Sequence, residues 1–139
     1  MKTILYARSA TPNPEAIEKQ LAELQEYADN WGYTDCEAVI DDGYSGAGTL
    51  GHWDRPGFVH MMEEVDNDEV ATVLVVDLAR LSRNMVAVQK IISELTDYDV
   101  HLIALTEEYD NMANVYNPND SFMDMLNMAY QEMKERKRL

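Results

Sequence analysis

"VATVLVVDLARLSRN" (Val70–Asn84) begins with seven apolar or β-branched residues and then changes character. The first half has no polar alternation. It therefore reads as a strand covered on both faces, as in parallel sheets. The second half, "DLARLSRN", carries Arg80 and Arg83, three residues apart and so on one side of a helical turn. In open α/β sheets, ligands sit beyond the carboxyl ends of the strands. A buried strand that runs directly into two arginines puts positive charge at that edge.

Working outward, "TILYA" (3–7) and "VHLIAL" (100–105) are runs of the same kind, and "CEAVI" (36–40) is a weaker fourth. Helical patterns separate them. In "NPEAIEKQLAELQEYADNWG" the apolar residues Ile17, Leu21, Leu24, Ala28 and Trp31 recur at helical spacing. Asn13 suits the N-cap, Pro14 the first helical position and Gly32 the C-terminal stop. "PGFVHMMEEV" and "NMVAVQKIISEL" read as a second and a third helix. This alternation predicts a three-layer α/β/α sandwich with a mostly parallel central sheet and right-handed crossovers. From about Pro118 the tail places Phe122, Met125, Leu126, Ala129 and Met133 on one stripe, which predicts a C-terminal helix.

The 139 residues suit one domain, and no apolar run approaches the ~20 residues that span a bilayer. Cytoplasm is the default location. Cys36 is the only cysteine; with no basic neighbour in sequence it reads as a structural thiol. The methionines read as core or interface filler. The formal charge of -15 is uneven. Residues 1–133 hold seven Lys/Arg against 25 Asp/Glu, whereas the last six, "KERKRL", carry +3. Such an acidic body repels a phosphate backbone, so any anion must be met at a local positive site. Before Arg136 there are only four arginines, namely Arg8, Arg55, Arg80 and Arg83.

Arg55 lies in "DDGYSGAGTLGHWDRPG" (Asp41–Gly57), which contains five glycines. A connection of this length is usually functional or mobile. Its "GYSGAG" has the spacing G-x-x-G-x-G with no helix opening from it, so a flap carrying Arg55 fits better than a dinucleotide cradle. Asp41, Asp42 and Asp77 raise a metal or phosphoacceptor site of the receiver kind. The acidic pair follows the second strand, however, and no lysine stands between Lys90 and Lys134, which disfavours that reading. His52, His60 and His101 share no ligand spacing and read as structural or surface residues, so no metal is expected.

Together, "YAR" closing the first strand, the helix "AIEKQLAELQEYADNWGY", the loop "DDGYSG…DRPGF", the turn "VLVVDLARLSRN" and the tail "MLNMAYQEMKER" resemble the catalytic domain of the serine recombinases, the resolvase/invertase family. The resemblance runs from Ile4 to the end of the chain. It implies that Arg8, Arg55, Arg80 and Arg83 grip a scissile DNA phosphate, with Ser45 in the matched loop and Gln20 and Tyr6 near the active site. The implied chemistry is metal-free and cofactor-free phosphoryl transfer through a 5′-phosphoserine link to DNA. The implied assembly is a dimer or tetramer built on the tail helix, which leads to a separate DNA-binding domain.

The chain departs from the family pattern at one decisive place. The family motif Tyr-x-Arg-x-Ser puts its nucleophile two residues after the arginine, where this chain has Ala10. Ser9 is one residue early, and adjacent strand residues point to opposite faces. A strand that persists through Ala10 turns Ser9 away from Arg8, whereas one that ends at Arg8 lets a local turn swing Ser9 or Thr11 into place. Ala79 also stands where the family often has an aspartate. Three readings follow. The serine has been replaced, by nature or by design; or Ser9 serves as nucleophile with shifted geometry; or the domain is a non-catalytic oligomerisation and regulatory module. A small-ligand α/β domain unrelated to DNA is a weaker alternative.

Overall fold

A computed structural model of the chain describes residues 1–45 and 55–113. The residues between these spans, with His52, and the tail helix expected from about residue 118 lie outside the described residues. The elements are β1 (Lys2–Ser9), α1 (Pro14–Trp31), β2 (Cys36–Asp42), α2 (Pro56–Asp66), β3 (Val70–Val75), α3 (Met85–Asp97), β4 (His101–Ala104) and β5 (Tyr109–Asp110), with a 3₁₀ turn at Leu78–Arg80. The strands form one sheet in the order β2-β1-β3-β4-β5. Every neighbouring pair is parallel except β4 with β5.

The sheet is the middle of three layers. Ile4 and Tyr6 of β1 pack with Phe58, Met61 and Val65 of α2 and with Val88, Ile91 and Leu95 of α3. Leu5, one residue out of phase, packs on the other face against Leu24 and Ala28 of α1. The alternation along β1 thus sorts its side chains between two cores, and it also sorts the residues that follow. Arg8 shares the phase of Tyr6, and Ser9 that of Leu5.

Helix α1 has the expected ends: Asn13 Oδ1 accepts from Ala16 N–H at 3.2 Å, and Gly32 closes the helix at φ 77°. Three aspartates, Asp35, Asp68 and Asp99, take left-handed φ of 54–59° in the turns that lead into β2, β3 and β4. Their short polar side chains tolerate that region better than most. Two features depart from the sequence reading. Trp31, counted with the apolar stripe of α1, is 69% exposed. It is the last helical residue and rests on Tyr27 (ring centroids 5.8 Å apart) rather than in the core. The antiparallel β5 was not expected, because two residues are too few to leave a period. Among the described residues, no helix is long and apolar enough to cross a membrane.

Candidate functional site

At the carboxyl edge of the sheet, β1 delivers Arg8, the turn after β3 delivers Arg80, and Arg55 directly precedes α2. The three arginines interlock through main-chain carbonyls. Arg8 donates from Nε to the Arg80 carbonyl (3.0 Å), from Nη2 to the Ala79 carbonyl (2.7 Å) and from Nη1 to the Tyr44 carbonyl (3.0 Å). Arg80 returns the contact, donating from Nη1 to the Arg8 carbonyl at 2.9 Å. Arg55 Nη1 donates to the same Arg80 carbonyl at 2.8 Å, and its Nη2 donates to the Leu81 carbonyl. Arg8 and Arg55 are 2% and 0% exposed. Burial first, then the charges of neighbouring arginines including Arg80 and Arg83, pull Arg8 below the ordinary guanidinium value. Burial does the same to Arg55. Arg83 is exposed, and among the described residues no hydrogen bond ties it to the other three.

Behind the arginines lies a buried polar pivot. The Tyr6 hydroxyl donates to Asp41 Oδ2 at 2.6 Å and accepts from Arg55 Nη1 at 3.2 Å. Burial above all raises the Tyr6 phenol far beyond its usual value, so it remains a neutral donor. Asp41 also accepts from Gly57 N–H (2.7 Å) and Phe58 N–H (2.9 Å), the open donors at the start of α2. A helix N-terminus favours a carboxylate on both hydrogen-bonding and dipole grounds. The Arg55 guanidinium lies over the Phe58 ring, 4.7 Å from its centroid. Asp41 thus fixes both Tyr6 and the helix start next to Arg55, a role the sequence reading missed. A signal was present. α2 opens at "DRPGF" with arginine at its N-cap and no side-chain cap of its own, so its free N–H groups needed a partner from elsewhere.

Gln20 addresses backbone rather than solvent: its Oε1 accepts from Arg8 N–H at 3.2 Å and its Nε2 donates to the Arg8 carbonyl at 3.0 Å. It pins the end of β1 to α1. Ser9 is 8% exposed, and its hydroxyl donates to the Thr11 carbonyl at 2.6 Å. Strand β1 persists through Ser9, so Ser9 points to the α1 side, away from the arginines. Ala10 lies just past the end of β1, in a bend. Ser45 is exposed at the end of the described part of the loop.

Two acids support the arginine turn. Asp77 Oδ2 stands 3.4 Å from Arg80 Nε, while Asp77 Oδ1 is buried and makes no hydrogen bond. Both Glu107 carboxylate oxygens accept from Leu78 N–H, at 3.1 and 3.2 Å. The whole assembly is a dense cluster of guanidinium groups whose planar forks, at Arg8 and Arg55, are turned to main-chain carbonyls. That chemistry suits an oxyanion with several equatorial oxygens.

Comparison with known proteins identifies the family and the fold. The family model described as "Resolvase, N terminal domain" matches residues 3–139. The N-terminal catalytic domain of TP901-1 integrase is similar at 25% identity and a TM-score of 0.77, over 99% of each chain. A resolvase family site-specific recombinase from Streptococcus pneumoniae is similar at 26% identity and a TM-score of 0.68, over 99% of this chain and 91% of that one. The C-terminal catalytic domain of ISC1926 TnpA, an IS607-like serine recombinase, shares the fold at 20% identity and a TM-score of 0.67, over 94% and 78%. A comparison with curated protein sequences finds no match.

Proposed function

The chain belongs to the resolvase family, and from that premise we propose that it is the catalytic domain of a site-specific DNA recombinase whose phosphate site is intact and whose nucleophile position is empty. The observation that carries this reading is the meeting of Arg8, Arg55 and Arg80 at one turn. In the reaction that the resemblance implies, a serine hydroxyl attacks a phosphodiester, a 3′-hydroxyl leaves, and the 5′-phosphate stays on the enzyme. The negative charge of the pentacoordinate intermediate needs cationic donors. Guanidinium groups can supply them without a metal or cofactor once the phosphate takes over contacts that Arg8, Arg55 and Arg80 now make to main-chain carbonyls. Covalent linkage retains the phosphodiester bond energy for religation.

Residue 10, which directly follows β1 and matches the family's nucleophile position, is alanine, and its methyl group cannot attack. Ser9 would have to release the Thr11 carbonyl and cross the strand. The chain as it stands is therefore read as able to hold a phosphate but not to cleave. With a charge of -15, sequence-specific DNA contact falls to a domain or partner beyond these residues, and self-association as dimer or tetramer to the Phe122–Met133 stripe. Its workplace is the cytoplasm. Ala10 also favours a second reading, a resolvase-like module that regulates an active relative.

A nicked duplex carrying the recombination site tests this. The unmodified chain should give no covalent adduct, and Ala10→Ser should give a 5′-phosphoserine adduct. Adding Arg80→Ala to Ala10→Ser should cut adduct formation by roughly 100-fold. An adduct mapped to Ser9 in the unmodified chain would overturn the inactive reading. Failure of Ala10→Ser would favour the regulatory module.

A further inference from the structure

Further along α2 than Arg55, beside the start of the edge strand β2, three side chains converge that the recombination reading does not use. His60 and Glu64 are one turn apart on α2 and project together, and Glu37 comes from β2. His60 Nε2 lies 3.1 Å from Glu64 Oε1 and 3.5 Å from Glu37 Oε1. One ligand atom from each of the three falls within 4.8 Å of the others. A tetrahedral zinc ion with ligands at about 2.1 Å sets neighbouring ligand atoms roughly 3.4 Å apart. The two histidine distances straddle that value.

Two further observations mark the cluster as more than a solvated charge group. Glu64 is only 9% exposed, and its Oε2 is buried with no hydrogen-bond partner. A cationic group already sits among the carboxylates: Lys2 Nζ is 3.1 Å from Glu37 Oε2 and 3.0 Å from Glu64 Oε1. The ammonium is a single charge on a flexible stem, set between two carboxylates and a histidine that can present a neutral nitrogen. A divalent ion would balance both carboxylates and accept the imidazole as well.

We propose that Glu37, His60 and Glu64 form a binding site for a divalent transition ion of the zinc class, with Lys2 as the built-in competitor for it. One nitrogen and two carboxylate oxygens, with a fourth position for water, suit Zn²⁺ better than Mg²⁺, which demands six oxygens in octahedral array. The ion would tie β2 to α2, the two elements between which the loop bearing Ser45 and Arg55 is strung. The site is separate from the arginine cluster and stands whether or not the chain handles DNA.

Calorimetric titration of the whole chain with zinc chloride tests the proposal. Binding should saturate at one equivalent and persist in excess Mg²⁺. His60→Ala and Glu37→Gln, both at partly exposed positions, should each weaken it at least ~10-fold, and Lys2→Met should tighten it by a similar factor. Circular dichroism verifies that each variant is folded. No saturable binding to the unmodified chain, or binding that His60→Ala and Glu37→Gln leave unchanged, would overturn the proposal.

Discussion

At the scale of single residues, the arginines were legible because they are rare: an acidic chain with four internal arginines advertises each of them. Their environment was not legible. That Arg8 and Arg55 rank among the largest fully buried side chains is a tertiary fact, made by carbonyls 25 to 72 residues away in sequence. Asp41 was weighed in the sequence only as a metal or phosphoacceptor residue. Its structural role escaped for a related reason, since its backbone partners lie 16 and 17 residues further on and no local spacing records them. Its replacement gives a clear prediction. In Asp41→Asn one oxygen remains to accept and an amide N–H₂ faces donors. Unfolding in urea should show a loss of about 2–3 kcal/mol. If Asp41 merely filled space, the loss would be only a few tenths of a kcal/mol.

At the scale of elements, the four parallel strands were legible from their apolar, β-branched runs, and α1 from its period and both caps. Trp31 misled because a period counts positions and does not know where the covering surface ends. Strand β5 left no trace because its pairing, not its composition, makes it a strand. The packing of α2 against β2 hinges on Gly57. A Cβ there would stand 2.9 Å from both the Ile40 carbonyl oxygen and Asp41 Oδ1, closer than real Cβ contacts come. Gly57→Ala must therefore push the start of α2 off β2. The expected cost is about 1–3 kcal/mol by denaturant unfolding. The displacement also reaches Arg55, two residues upstream, so any phosphate affinity should fall alongside stability.

At the scale of the whole molecule, the chain inverts its own average: a net charge of -15 surrounds an interior edge built from arginine. The turn that bears Arg80 is held in part by Glu107. Although this residue is exposed overall, its carboxylate end sits against the turn. Partial loss of water there, with the charge of Asp77 as a lesser contribution, raises its carboxyl above the ordinary 4.5. The folded state thus holds the proton more tightly than the unfolded chain. The stabilisation is complete below pH 4.5 and is lost as pH rises through the folded value. Glu107→Gln, which keeps an accepting oxygen for Leu78 N–H, should remove that loss. The gap in unfolding free energy between variant and parent should widen in the variant's favour from pH 4.5 upward. A gap that is constant with pH would contradict the assignment.

The two-faced phase of β1 has a consequence for how cleavage could return to this scaffold. Sliding β1 by one residue would bring the Ser9 hydroxyl round to the guanidinium groups, but it would also swing Ile4 and Tyr6 out of one core, drive Leu5 out of the other and sever Tyr6 from Asp41. The hydrophobic layers lock the strand against that slide. On the proposed recombinase reading, a slide of the strand is therefore a costly way to recruit Ser9, and a hydroxyl introduced at position 10 would ask for no such shift.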